Sequence, residues 1–519
     1  MLFNSFEFLL FFLPATIAAY YVCRRAGWLR ASVATLAAAS LFFYAWWDWR
    51  NLPLLLVSVV FNFWMGRWIA QAENHRGPLL AAAVAGNLLA LGFFKYWNFI
   101  VANVAAATGA ALPVSAIALP LGISFFTFTQ IAFLVDTSRG LAREYRLLEY
   151  VLFVSYFPHL IAGPIIHHKQ LIPQFARRFP WRRVLDDVAL GMLVFVFGLA
   201  KKVLIADNLA EFANPVFAAA AEGRNIDPLS AWLGVTAYAT QLYFDFSGYS
   251  DMAVGLSKMF GINLPINFNT PYAATSLIDF WRRWHMTLSR FLRDYLYLPL
   301  GGNRRGSARR YVNLLVTMVL GGFWHGAGWT FIVWGAIHGV ALAGNHLWRS
   351  VAPAWWKKAP KRVRNAIGGA LTLLVVLIAW VYFRAADLAA ANRLLGAMFT
   401  ISSDTLDAVL AVVRSGARAL LSRLRSDWMF VLAVPAGPSP PSFGILPTVA
   451  GLALVPLALA ISIVGPNALA LACAIRRACG GALRMRSLVG YAAVAASALV
   501  FFLCLARLNK ASEFLYFQF

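Results

Sequence analysis

The stretch Leu314–Trp334, LLVTMVLGGFWHGAGWTFIVW, decides how this chain is read. It holds no Lys, Arg, Asp or Glu, as a segment in lipid requires, yet His325 lies near its middle. An ionisable side chain at membrane depth is costly, and its default meaning is functional. Basic stretches flank the run: 255–310, with Lys258, Arg282, Arg283, Arg290, Arg293, Arg304, Arg305, Arg309 and Arg310, and then 349–364. Lys and Arg collect in cytoplasmic loops, so both flanks are expected on one side. A helical hairpin with His325 near its tip, broken at Gly326 and Gly328, fits this pattern; one long bent span fits it too. Non-helical backbone at that depth is tolerated only where protein or a cavity surrounds it.

The rest of the chain sets the class. Of 519 residues, 61% are apolar and 13% charged, against roughly 45–50% apolar in soluble proteins. Apolar runs recur at 7–23, 29–47, 52–70, 79–97, 117–136, 184–206, 229–256, 312–348, 365–386, 444–464 and 487–507. At roughly 20 residues per crossing they predict an all-α polytopic membrane protein of about eleven transmembrane helices, with re-entrant and interfacial helices besides. Continuous runs exclude the alternation of a barrel.

A net charge of +24 and a pI near 10.4 would point a soluble protein toward nucleic acid. Here the cations sit between apolar runs, where they set orientation and meet anionic headgroups. No separate basic domain remains to bind nucleic acid. Positive charge follows the first run (Arg24, Arg25, Arg30), which predicts an uncleaved first span ending in the cytoplasm. Val151–Ile166 lies between two basic loops (Arg139, Arg143 and Arg146; Lys169, Arg177, Arg178, Arg182 and Arg183) and is broken by Pro158, Gly163 and Pro164, so it is expected to be re-entrant. Cys23, Cys473, Cys479 and Cys504 lack metal-ligand spacing and are expected to be buried, inert thiols. The Pro435–Pro441 stretch and the segment 393–426 form the clearest loop region. No internal repeat is visible, which disfavours an inverted-repeat transporter.

The chemistry concentrates upstream of the opening stretch. Phe280–Tyr297 is expected to form one amphipathic helix started by Ser276 and Asp279. Trp281, Trp284, His285, Leu288 and Leu292 fall on one face and Arg282, Arg283, Arg290 and Arg293 on or near the other, with Asp279–Arg283 and Arg290–Asp294 as i,i+4 pairs. An interfacial helix holding headgroups is one reading. Against it, His285 faces the tryptophans, and the arginines equally suit the phosphates of a nucleotide-linked thioester. Pro299–Gly306 is a basic turn without P-loop spacing.

His325 reads either as a core histidine bonded to a carbonyl or as a general base. Glycines allow a substrate close approach to it, Trp324, Trp329 and Trp334 supply walls, and a neutral imidazole suits proton abstraction. His338 is expected to line the same cavity, and with no carboxylate near it no metal site is expected. His159 is expected either to line the same cavity or to be structural. His167 and His168 are expected at the surface. Asp245 and Asp251 are expected to be buried partners of arginines or cavity groups. Ser247 lacks the elbow of a serine hydrolase.

Taken in order, these residues resemble a known family. Tyr243–Ala253 (YFDFSGYSDMA), Phe280–Gly306 (FWRRWHMTLSRFLRDYLYLPLGGNRRG), Gly322–Gly326 (GFWHG) and Trp334–Gly339 (WGAIHG) resemble the membrane-bound O-acyltransferases, most closely their bacterial alginate O-acetyltransferase branch. Pro120–Phe125, Phe157–Pro164 and Phe514–Phe519 agree with it. The resemblance covers most of 1–390 and none of 390–486. It implies one integral membrane domain over 1–519, with core motifs at 117–348 around a funnel or tunnel and a variable part at 390–486. It implies that His325 matches the family's catalytic histidine and His285 its second, more variable one. It further implies acetyl-CoA as a cytoplasmic donor, with no bound cofactor. Periplasmic acetyltransferase partners and an exopolysaccharide acceptor such as alginate complete the expected pathway, at the bacterial inner membrane. A non-catalytic acetyl conduit, or transfer of D-alanine or another acyl group to an envelope polymer, are the alternatives.

Overall fold

The computed structural model describes residues 1–113, 117–142, 145–177, 180–400, 449–478, 488–508 and 514–515. Pro435–Pro441, Cys479, Arg143, Arg178 and most of 390–486 lie outside the described residues. Among the described residues the regular structure is helical throughout.

The amino-terminal part comprises α1 (Leu13–Arg25, entered through a wide π-turn at Glu7–Phe12), α2 (Leu29–Trp47) and α3 (Leu52–Gln71). Then α4 (Arg76–Leu91) runs through a π-turn at Gly92–Tyr96 into α5 (Trp97–Thr108). The middle holds α6 (Ile123–Ser138), α7 (Leu147–Ser155), α8 (His168–Phe175) and α9 (Trp181–Ala200), a π-turn at Lys201–Ala206, α10 (Asp207–Ala221) and α11 (Pro228–Met259). After these come α12 (Leu277–Trp281), α13 (Met286–Leu292) with a π-turn at Arg293–Tyr297, α14 (Gly306–His325) and α15 (Trp329–Val351). The chain continues through α16 (Ala354–Lys358), α17 (Lys361–Arg384), α18 (Leu388–Phe399), α19 (Val449–Val464), α20 (Ala468–Ala478) and α21 (Leu488–Arg507).

Six helical stretches among the described residues are long and apolar enough to cross a membrane: Glu7–Arg25, Leu29–Trp47, Trp49–Gln71, Arg76–Thr108, Arg183–Ala221 and Lys361–Arg384. A seventh results if Ala453–Val464 and Ala468–Ala478, bent by 70°, form one span. These do not reproduce the count of about eleven. The run 117–136 becomes a 16-residue helix because the chain turns at Gly122, whose φ is +73°.

The 32-residue α11 is buried along nearly its whole length and carries acids and hydroxyls on its inner faces. It contacts other helices rather than lipid, so it need not be uniformly apolar. Its seam with α9 is built from glycines: a Cβ added to Gly198 would lie 2.6 Å from the Gly248 carbonyl oxygen, and one added to Gly255 would lie 2.6 Å from that of Gly191. Small residues let helices in lipid approach closely enough for dispersion to hold them.

The run around His325 is a hairpin, not one bent span. Helices α14 and α15 pack antiparallel, so closely that a Cβ at Gly322 would strike the Phe331 carbonyl and one at Gly335 that of Met318. Between Ser155 and His168 the backbone is irregular yet almost entirely buried, as the breaks at Pro158, Gly163 and Pro164 lead one to expect.

Candidate functional site

The segment expected as one amphipathic helix over Phe280–Tyr297 is broken in two. Ser276 starts it, its hydroxyl accepting from the Asp279 backbone N–H at 3.2 Å. Helix α12 then stops at Trp281, and His285 takes φ +42° and ψ +53°, a left-handed conformation uncommon outside glycine. Backbone bonds to an adjacent strand-like stretch hold the break: Asn269 N–H to the Arg283 carbonyl and Met286 N–H to the Asn267 carbonyl, both 2.9 Å. The expected faces nevertheless survive. Trp281, Trp284, His285, Leu288 and Leu292 are buried, while Arg282 and Arg290 are exposed. Arg283 pairs with Asp279 at 3.0 Å as expected, but Asp294 pairs with Arg293 at 2.7 Å rather than with Arg290.

The break defines the chemistry of the His285 ring. Asn267 Oδ1 accepts from the Thr287 backbone N–H (3.2 Å) and hydroxyl (2.9 Å), and a backbone N–H can only donate, so this atom is the amide oxygen. It also lies 3.1 Å from His285 Nδ1, which must therefore carry the proton. Nε2 of the neutral ring is left with its lone pair, buried and without a hydrogen-bond partner among the described residues. A base held in one tautomer with its lone pair unspent is suited to accept a proton from a substrate.

His325 is the last residue of α14 and is 6% exposed. Its ring lies among Trp324, Trp334 and Phe383, at centroid distances of 4.9, 5.1 and 5.2 Å. One turn beyond Trp334 on α15, His338 is fully buried against Trp334 (4.9 Å) and Trp281 (5.1 Å). Neither of its ring nitrogens has a hydrogen-bond partner among the described residues. Trp380 links the two halves, 5.9 Å from Trp334 and 4.9 Å from Trp284, the neighbour of His285. The hairpin and the broken segment thus enclose one aromatic core with three histidines at its edges. Trp324 also lines a cavity of about 90 Å³ with Lys95, Pro120, Gly122 and Ser124.

Other expected members lie elsewhere. His159 hydrogen-bonds the Phe153 carbonyl through Nε2 at 3.0 Å and touches the Tyr156 ring, not the aromatic core. Asp245 is ion-paired with Lys202 at 2.7 Å and accepts from the Leu515 backbone N–H at 3.0 Å, while Asp251 pairs with Lys201 at 2.7 Å. The partners of these acids are therefore lysines of the π-turn after α9, not arginines. His168 is not a surface residue, and His167 is only partly exposed. His168 is 1% exposed, with Nε2 3.2 Å from Asp136 and Nδ1 3.0 Å from the Tyr145 hydroxyl. Burial lowers the His167 imidazole below its ordinary value despite the nearby Asp136 carboxylate. Cys504 is buried, whereas Cys23 and Cys473 are only partly so. Among the described residues no three His, Cys, Asp or Glu side chains converge as metal ligands.

Two residues escaped the sequence reading. Asn267 gave no signal, since its role depends on a loop folding against His285. Lys95 did give one: it is a lone cation in the run 79–97, and the rule that marked His325 marks it equally.

Fold and site together define a polytopic helical membrane protein with three histidines at a buried aromatic core. The sequence profile of the membrane-bound O-acyltransferase family matches residues 9–385, and the chain belongs to that family; it is an acyltransferase. It is 40% identical to the peptidoglycan O-acetyltransferase of Helicobacter pylori over 440 residues, 78% of this chain and 81% of that one. It is 43% identical to a protein named "Probable alginate O-acetylase AlgI" in Azotobacter vinelandii over 416 residues, 78% of this chain and 79% of that one. A teichoic acid D-alanyltransferase of Streptococcus thermophilus is more distant, at 30% over 239 residues, 44% of this chain and 57% of that one.

Proposed function

We propose that this acyltransferase takes acetyl from acetyl-CoA at the cytoplasmic face of the bacterial inner membrane and passes it, at His325, toward O-acetylation of an envelope polysaccharide such as alginate. Periplasmic acetyltransferases receive the group on the far side. The observation that carries the reading is the placement of His325 at the tip of a glycine-packed hairpin, its ring in an aromatic core shared with His285 and His338. His325 acts on the acyl group as general base or transient carrier, and His285 assists proton transfer through Nε2. In the base form, the acceptor hydroxyl oxygen bonds the thioester carbonyl carbon while its proton passes to imidazole. The C–S bond then breaks, and the proton leaves with the thiolate. Arg282 and Arg290, exposed on the outer side of the same broken segment, are suited to donor phosphates; Arg283 is held by Asp279 and contributes chiefly charge.

The family relatives named for acetyl transfer favour two carbons over D-alanine, whose transferase relative matches a smaller share of the chain. The test is His325→Ala, with membrane insertion and melting temperature checked. Loss of acetyl-CoA turnover and of polymer acetylation is expected. Full acetylation by the folded variant defeats the assignment, and a purified wild-type protein that neither hydrolyses acetyl-CoA nor is labelled by it would favour the conduit.

A further inference from the structure

The hairpin that carries His325 cannot cap its own helix. An α-helix leaves its last four carbonyls without intrahelical partners, and a chain end usually supplies them through a left-handed glycine. Here Gly326 is extended, with φ −159° and ψ 149°, and a Cβ at that position would strike the Phe331 ring. The turn is sterically closed, so its own backbone supplies none of the missing donors. The donors come instead from two consecutive residues of the π-turn between α4 and α5. The Lys95 ammonium donates to the Trp324 carbonyl at 2.7 Å, to the His325 carbonyl at 3.0 Å and to the Ser124 hydroxyl at 3.3 Å. The Tyr96 hydroxyl donates to the Phe323 carbonyl at 2.9 Å, and its ring stacks on Phe323 with centroids 4.3 Å apart. Three of the last four carbonyls of α14 are thus satisfied from outside the hairpin.

The chemistry explains why a lysine stands there. An ammonium has three hydrogens and no acceptor, and all three are used. Its positive charge also meets the negative end of the α14 dipole. No carboxylate lies within ion-pair distance of it among the described residues, so the helix end is its counter-charge. Lys95 and Tyr96 are consecutive residues of one π-turn, and both reach the same helix end. π-turns inside helices recur at functional sites.

We propose that Lys95 is the positioning residue for the acyltransfer site, with Tyr96 as its auxiliary: by binding the carbonyl of His325 itself, Lys95 fixes the Cα–Cβ direction and so the aim of the imidazole. This rests on the reading that His325 is catalytic. It assigns the amino-terminal helices a part in holding the site, through the His325 backbone. Misplacement of a catalytic group by about 1 Å can cost on the order of a hundredfold in rate, and that is the size of effect to look for.

The experiment uses the full-length protein in detergent or proteoliposomes, with acetyl-CoA turnover and melting temperature measured for Lys95→Met, Lys95→Ala and Tyr96→Phe. Lys95→Met is expected to lose about a hundredfold in kcat, with KM for acetyl-CoA changed less than about threefold. Propylammonium, which replaces the missing end of the side chain, is expected to restore Lys95→Ala at least tenfold where propanol does not. Tyr96→Phe, which removes one hydroxyl, is expected to lose kcat several-fold at unchanged KM. A near wild-type kcat in Lys95→Met overturns the proposal, as does a loss that follows melting temperature and resists the amine. If Lys95→Met does not accumulate, Tyr96→Phe decides, and an unchanged kcat there overturns it. His325→Ala is run alongside. Activity in His325→Ala sinks the functional reading, whereas an inactive His325→Ala beside an active Lys95→Met sinks this inference alone.

Discussion

Replacing Asn267 tests the tautomer argument directly. Its amide oxygen accepts three hydrogens, from His285 Nδ1 and from the backbone and hydroxyl of Thr287. The side chain is 2% exposed, so Asn267→Leu leaves those donors with no water to turn to. Each stranded donor costs about 1–3 kcal/mol, and some relief comes from local relaxation, which places the loss at about 3–6 kcal/mol. That is comparable to the whole stability of a typical domain, about 5–15 kcal/mol, and it falls on a segment already holding His285 at φ +42°. A sharp fall in melting temperature together with loss of turnover is expected.

Asn267→Asp separates fold from chemistry. A carboxylate keeps an acceptor for all three donors but adds a negative charge about 3 Å from the ring, a distance at which an opposite charge raises an imidazole by roughly 1–3 pH units. If neutral His285 is needed, activity is lost on acidification, and raising its pKa moves that acid limb upward by about one unit or more. Burial holds the His285 imidazole down to about 3, so turnover of acetyl-CoA is followed from about pH 3 to about pH 8, the range in which the raised limb falls. A pH profile superimposable on wild type, with the variant folded, refutes the claim that His285 Nε2 accepts a proton.

Further outcomes follow from the same geometry. His338→Phe keeps the aromatic packing and removes two ring nitrogens that have no partner among the described residues, so melting temperature should hold within a few degrees while turnover falls if those nitrogens meet substrate; unchanged turnover assigns His338 to packing. Lys202→Met strands Asp245 and Asp207, and breaking such a buried pair costs about 3–5 kcal/mol. Folded protein should become scarce, with turnover per folded molecule retained, and Lys202→Met with Asp245→Leu should recover part of the loss. Arg282→Ala with Arg290→Ala should raise KM for acetyl-CoA several-fold at little change in kcat; an unchanged KM removes these two from donor binding.

The sequence marked much of this site. His325 and His285 were legible because a charge-capable ring in an apolar run, or on the apolar side of a basic segment, is conspicuous on composition alone. The buried faces of Trp281, Trp284 and Leu288 follow from period and survive even though the helix breaks, because the two pieces present the same sides inward. Less legible was anything that depends on what one segment meets. His167 and His168 stand in a basic loop and read as exposed, yet Asp136 and Tyr145 draw His168 inside. Asp245 and Asp251 advertised cationic partners without saying which, and tertiary packing chose lysines.

By itself the sequence determined that the chain is a helical membrane protein and that one histidine stands inside an apolar run, since hydrophobic run length and charge placement are local quantities that a bilayer reads directly. Only the tertiary structure decided how that histidine is held. The hairpin was one of two possibilities until Gly322 and Gly335 were seen to admit backbones too close for any side chain. The lone pair on His285 Nε2 depends on Asn267, 18 residues away, and the cap on His325 comes from Lys95, 230 residues upstream. Buried hydrogen-bond donors must find acceptors wherever the fold brings them, and that choice is made by contact between segments rather than by the residues within one.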